Sequence, residues 1–158
     1  MIKFNLSGPI GRPFHSLIRP KGKVPNRVYE VHEISNDMLK RKPTPAQLKS
    51  KVRGYMRNCL LVMHNGRFDG RFLRRYFKIG KRPYIETIEL SKKLWPRARK
   101  HRLVTICRKL GIRYNPHEAL CDAEATKHIL IRFFRKFRRF KRLKVKDLEE
   151  EGYVKYLR

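Results

Sequence analysis

No carboxylate occurs before Glu30, and the 158 residues hold only 13 Asp and Glu against 41 Lys and Arg. With a formal net charge of +28, a free chain of this size repels itself and binds any polyanion. Nucleic acid is the leading partner on that ground, with an anionic membrane surface behind it. Cysteine is scarce as well. Cys59, Cys107 and Cys121 are odd in number and form no Cys-x-x-Cys pair, so they read as small core residues in a reducing compartment, not as disulfides or a zinc site. No apolar run is long enough to span a bilayer, and the start shows neither a secretory apolar region nor an Arg/Ser-rich presequence. What remains is 41% hydrophobic residues, enough for one domain with a real core.

The chain is organised around residues 59–73. Cys59-Leu60-Leu61-Val62-Met63 is a short apolar run, the mark of a buried parallel strand. Phe68, Phe72, Leu73, Tyr76 and Phe77 then recur at helical spacing and predict a helix from Arg67 to about Ile79, with Gly80 as its stop. Asp69 therefore falls on the first turn of a helix at the carboxyl end of a strand, where open α/β sheets bind ligands. A lone Asp there is most often a dipole or capping residue.

The rest of the chain reads as follows. Residues 1–19 predict a hairpin, with Phe14 to Ile18 as its second strand. Ser35 predicts the N-cap of a short helix, and Thr44 the cap of a helix with Pro45 at its first position. Tyr84-Ile85 reads as a short extended link. Helices are expected from Thr87 to Trp95, around Leu103 to Leu110 with Gly111 closing, and from Ala119 to Phe140. The division expected is a domain over residues 1–140 and a basic-then-acidic tail over 141–158.

A second chemical stretch is His117-Glu118-Ala119-Leu120-Cys121-Asp122. A carboxylate can hold a hard cation, and a neighbouring imidazole can take a proton from water. The two stretches together resemble the DnaQ-like 3′–5′ exonucleases of the DEDDh type, with a ribonuclease-H-like fold. Val31-His32-Glu33-Ile34 through Met38-Leu39 looks like the family's "VHGI-x-x-x-ML" segment, and His64-Asn65-Gly66-Arg67-Phe68-Asp69 like its second motif. Glu86-Thr87 is similar to its "DT" helix start, with Glu for the usual Asp. His101-Arg102-Leu103 through Leu110-Gly111-Ile112 follows "H-x-L…LGI", and His117 to Asp122 keeps the H-x4-D spacing of the third motif.

The resemblance implies an α/β fold with a mixed sheet flanked by helices, metal positions at Asp69 and Asp122, and a general base at His117. The family's first motif, Asp-x-Glu on the first and central strand, has no counterpart here. The expectation is thus a truncated ribonuclease-H-like fold that lacks that strand and leaves either a direct pairing across the gap or an open edge. Asp69, Asp122 and His117 would be relics, with no cofactor unless Mg²⁺ or Mn²⁺ serves a surviving nuclease.

The basic residues are spread over most elements. Lys40, Arg41, Lys42, Arg71, Arg74, Arg75, Lys78, Lys81, Arg82, Arg97, Arg99, Lys100 and Arg102 form clusters, and Arg132, Arg135, Lys136, Arg138, Arg139, Lys141 and Arg142 crowd the last helix. This all-round distribution suits a protein embedded in folded RNA. The reading from sequence is a non-catalytic rRNA-binding ribosomal protein, mitochondrial or else bacterial, beside neighbouring ribosomal proteins and no membrane. The alternative is an active exonuclease whose first motif comes from another chain or was lost in gene annotation.

Overall fold

Side chains alternate across a strand, so one strand can feed two cores. The short strand β4 (Pro83–Glu86) does this: Tyr84 points into one core and Ile85 into another. The computed structural model describes residues 1–5, 7–112, 118–137 and 144–157. In it β4 is the middle of a three-stranded sheet. β3 (Leu61–Met63) pairs with it in parallel and β5 (Val154–Tyr156) antiparallel. The N-terminal β1 (Phe4–Asn5) and β2 (Gly8–Pro9) form a separate two-stranded piece.

Helices cover both faces. Two short helices come first, α1 (Asn26–His32) and α2 (Asn36–Leu39). α3 (Pro45–Tyr55) and α4 (Gly66–Phe77) pack together on one face, where Leu48, Val52, Met56 and Phe77 meet Met63, Tyr84 and Leu157. α5 (Thr87–Leu94), α6 (Leu103–Leu110) and α7 (Ala119–Lys136) lie on the other. There Leu90, Ile106, Ile129 and Phe133 pack with Ile85 and Val154. Each such side chain contributes about 1.5–3 kcal/mol when fully buried.

Local chemistry sets the helix ends. Thr44 Oγ1 accepts from the Gln47 N–H at 3.4 Å and Gln47 Oε1 accepts from the Thr44 N–H at 2.8 Å, a reciprocal cap with Pro45 in the first turn. Ser35 caps α2 by accepting from Met38 N–H. Gly111 ends α6 at φ 64.

Several expectations need correction. The hairpin stops short: Phe14 only exchanges backbone bonds with Met1, and residues 14–18 form no strand, since Pro9, Pro13 and Pro20 remove donors. α4 is closed by Lys78 in the left-handed region, not by Gly80. Tyr84-Ile85 is no link but the core of the central strand. α7 ends at Lys136, and residues 138–143 lie outside those described. The expected tail is part of the domain. α8 (Val145–Glu150) leads into β5, and Leu148, Tyr153 and Val154 join the core around Phe133. The missing-strand expectation meets an open edge: β3 ends the sheet, with no strand beyond it among the described residues.

Candidate functional site: the carboxyl end of the sheet

In a parallel pair the carboxyl ends of both strands lie side by side, and here Met63 pairs with Glu86. Both chains turn at that point. Asn65 takes φ 62 to start α4, and its side chain makes no cap. Glu86 replaces the cap from across the sheet. Its Oε1 accepts the Asn65 N–H at 3.0 Å and the Ile88 N–H at 3.3 Å, and its Oε2 accepts the Gly66 N–H at 3.1 Å. The carboxylate, 4% exposed, thereby serves the first turns of α4 and α5 together. Gly66 is obligatory at this junction, because a Cβ would stand 2.9 Å from Tyr84 Cζ and 3.0 Å from Met63 Cβ.

Thr87 adds a second fastening. Its hydroxyl donates to Met63 O at 3.0 Å and lies 2.9 Å from His64 Nδ1. Burial pushes the His64 pKa down to about 4, so the ring is neutral at neutral pH. A parallel contact joins His101 Nδ1 to Ser91 Oγ at 2.8 Å.

Asp69, on the first turn of α4, opens onto solvent beside this junction, and Asp122 stands on the first turn of α7. The two helices come from opposite faces, yet both acids line the same groove. Surrounding protein raises the Asp69 pKa, and the negative charges of Asp122 and then Glu86 raise it further. Burial and Asp122 also push the Cys107 thiol up to about 11. Carboxylates that raise one another's pKa suit a cation and cost free energy without one. They could supply two oxygen ligands to Mg²⁺ or Mn²⁺. Among the described residues, no three His, Cys, Asp or Glu side chains come together to hold an ion.

A groove of about 1830 Å³ leads up to the acids. Met1 to Asn5 form one wall and Asn58 to Asn65, including the free edge of β3, form the other. Phe68 and Phe72 of α4 line it at 51% and 48% exposure. The groove thus runs between the unpaired edge of β3 and the N-terminal residues.

His117 lies outside the described residues, as do Arg138, Arg139, Lys141 and Arg142. Asp69 and Asp122 both line the groove. Glu86, read only as a stand-in for Asp, is instead a buried backbone acceptor. The other basic residues named from sequence are exposed, apart from half-buried Arg82. Lys100 and Arg102 line the groove, Lys78, Lys81 and Arg82 line a second cleft, and Arg71 and Arg75 stack on Phe68 and Tyr76. Lys40 pairs with Asp37. Sequence reasoning missed the Thr87–His64 and Ser91–His101 contacts, for which only the polar residues inside otherwise apolar helix starts gave a signal.

Comparison with known proteins agrees with this geometry. The exonuclease family RNase_T matches residues 2–130. The DNA polymerase III PolC-type protein of Halalkalibacterium halodurans is 37% identical over 132 residues, 80% of this chain and 9% of that protein. Its counterpart in Thermotoga petrophila is 32% identical over 148 residues, 90% of this chain and 11% of that protein. The 3′–5′ exonuclease DinG of Staphylococcus aureus is 30% identical over 142 residues, 86% of this chain and 16% of that protein. The chain thus spans only a small part of the length of these relatives. Among solved structures, Exonuclease X in complex with 5′ overhanging duplex DNA superposes with a TM-score of 0.68 at 23% identity, covering 85% of this chain and 80% of that one. The fold is therefore the α/β exonuclease fold, and by its family match this chain belongs to the RNase_T exonuclease family.

Proposed function

We propose that these residues form the larger part of a metal-dependent 3′–5′ exonuclease site, completed by acids that lie outside residues 1–158. The observation that carries this reading is that Asp69 and Asp122 line one open groove beside an unpaired strand edge. The similarity to PolC-type proteins and to DinG supports the same class of reaction. A bound divalent cation supplies positive charge to the phosphodiester oxygens. Asp69 and Asp122 hold that cation, Glu86 and Thr87 fix the turn on which Asp69 stands, and His117 of the third motif serves as proton acceptor. Two carboxylates alone hold Mg²⁺ weakly, since that ion keeps most of its waters. An extended segment bearing Asp-x-Glu, from another chain or from sequence preceding Met1, would fill the groove and add the missing ligands. Pairing such a segment with a bare β3 edge is strand addition.

The test adds a synthetic peptide of alternating apolar residues ending in Asp-x-Glu, with Mg²⁺ or Mn²⁺ and a 5′-labelled oligonucleotide. Stepwise shortening that needs the peptide and disappears in Asp69→Asn and Asp122→Asn is the expected result. A peptide that binds yet gives no shortening sinks the reading.

The charge favours a second reading, a non-catalytic component of a ribonucleoprotein, because +28 spread over most elements exceeds what one substrate groove uses. Sedimentation of a native extract separates the two. Migration with a ribosomal subunit through a salt wash supports the second, and a small free species supports the first.

A further inference from the structure

At the end of the sheet opposite Asp69 and Asp122, α3 and the loop from Lys78 to Arg82 enclose a cleft of about 840 Å³. β3 and β4 run parallel, so the residues entering both strands come together here. Six cations line the cleft: Lys49, Arg53 and Arg57 from α3 and its exit, and Lys78, Lys81 and Arg82 from the loop. No acid among the described residues lines it. None of the six pairs with a carboxylate among those residues.

This crowding is unfavourable by itself. Lys49 and Arg53 stand four residues apart on α3, which sets like charges face to face, and Arg57 follows just past the helix end. The opposing loop adds three more cations and fixes two of them. Arg82 Nη2 donates to Cys59 O at 3.2 Å, and Lys81 Nζ stands 5.2 Å over the Tyr156 ring. The repulsion is relieved by an anion that presents several charges at regular spacing to a concave surface. A phosphodiester backbone does so. Gly54 and Gly80 also line the cleft, and nothing lies within 4 Å of where their Cβ atoms would stand, which leaves room for a backbone to approach.

We propose that this cleft binds the phosphodiester backbone of a nucleic acid several nucleotides away from the carboxylates. Lys78 follows Asp69 by nine positions at the exit of α4, about 14 Å along a helix axis. A strand ending at Asp69 must therefore run on for several nucleotides to reach the cleft. The site acts in binding, and its existence does not depend on whether the acids cleave.

The experiment measures anisotropy of a labelled oligothymidylate of about 20 nucleotides across a salt series. It compares the full chain with two triple variants of equal charge change. One is Arg53→Glu, Arg57→Glu and Lys81→Glu in the cleft. The other is Lys21→Glu, Lys23→Glu and Arg27→Glu on the exposed surface away from it. Loss of three phosphate contacts lowers the slope of log K against log salt by about 2 for a single strand, and the cleft variant is expected to show this with an affinity loss of at least about tenfold. The surface variant is expected to change the slope by less than about half as much. Equal losses in the two variants would overturn the proposal, because they would mean diffuse attraction by net charge. An oligouridylate is expected to behave alike, and a loss confined to one sugar would overturn a backbone site. If the cleft variant does not melt cooperatively, the Gln triple at the same positions removes the charges without adding acids and is judged by the same comparison.

Discussion

Glu86 is the residue whose replacement tests the site's architecture most directly. Its carboxylate accepts three backbone N–H groups, from Asn65, Gly66 and Ile88, while being 4% exposed. Hydrogen bonds to a charged acceptor contribute about 1.5–3 kcal/mol each, and an orphaned buried donor costs about 1–3 kcal/mol. The Gly66 N–H is the most deeply placed donor and has no alternative partner in the α4 first turn. Summing with allowance for shared geometry, Glu86→Ala should cost about 3–5 kcal/mol, a large share of the roughly 5–15 kcal/mol available to a domain. Glu86→Gln keeps the shape but offers one acceptor oxygen and turns an NH₂ toward a donor, so about 1–3 kcal/mol should be lost. Urea denaturation reads both as a lowered midpoint with unchanged slope. A Glu86→Ala midpoint within about 0.5 kcal/mol of the parent would refute the fastening role. So would stabilisation by Mg²⁺ that vanishes in Glu86→Gln, since that would make Glu86 a ligand.

Three further outcomes are expected. A chain ending at residue 143 loses α8 and β5, uncovers Ile85 and Phe133, and should show no cooperative thermal transition by circular dichroism. Gly66→Ala should cost about 1–3 kcal/mol through its clash with Tyr84, whereas Gly54→Ala, in open space within α3, should stabilise by up to about 1 kcal/mol in the same urea assay. For His64 the folded pKa of about 4 lies below the ordinary 6.5, so the unfolded chain takes the proton first as pH falls. Its contribution should drop by about 3 kcal/mol between pH 6.5 and 4 and then level, and His64→Asn should flatten that part of the stability–pH curve. Asp69 works in the opposite sense. Its folded pKa is raised, so ionisation at neutral pH is a strain that Asp69→Asn should relieve.

The sequence made the site's two halves legible because each motif is local. A strand followed by a helix places Asp69, and the same logic at a helix start places Asp122, so each stands on a helix first turn as its motif implied. Thr44, Ser35 and Gly111 were legible for the same reason, since caps act within one turn. Non-local pairing was not. Tyr84-Ile85 is too short to announce a central strand, and only its neighbours β3 and β5 make it one. The C-terminal residues looked polar because Lys146, Asp147, Glu149, Glu150 and Glu151 surround Leu148, Tyr153 and Val154, and three apolar positions suffice to close a sheet edge when a partner strand waits there. The part played by Glu86 was hidden because its partners are backbone groups, which leave no trace in composition.

The structure also bears on how so basic a chain can keep acids apart from its own cations. Thirteen carboxylates among 41 Lys and Arg would pair off if the charges were mixed. Burial, and after it the charge of Asp122, raise the Asp69 pKa, while the six cations of the cleft lie at the other end of the same strands. The two ends are connected by α4, whose first turn carries the acid and whose exit carries Lys78. Segregation along one helix keeps positive charge at one end of the sheet and negative charge at the other. In a folded domain of about this size, charges some 14 Å apart across solvent are largely screened at physiological salt, so each end keeps its own character. An exonuclease site and a phosphate cleft are therefore compatible on one small, strongly basic domain, and the excess of charge does not by itself disqualify the acids.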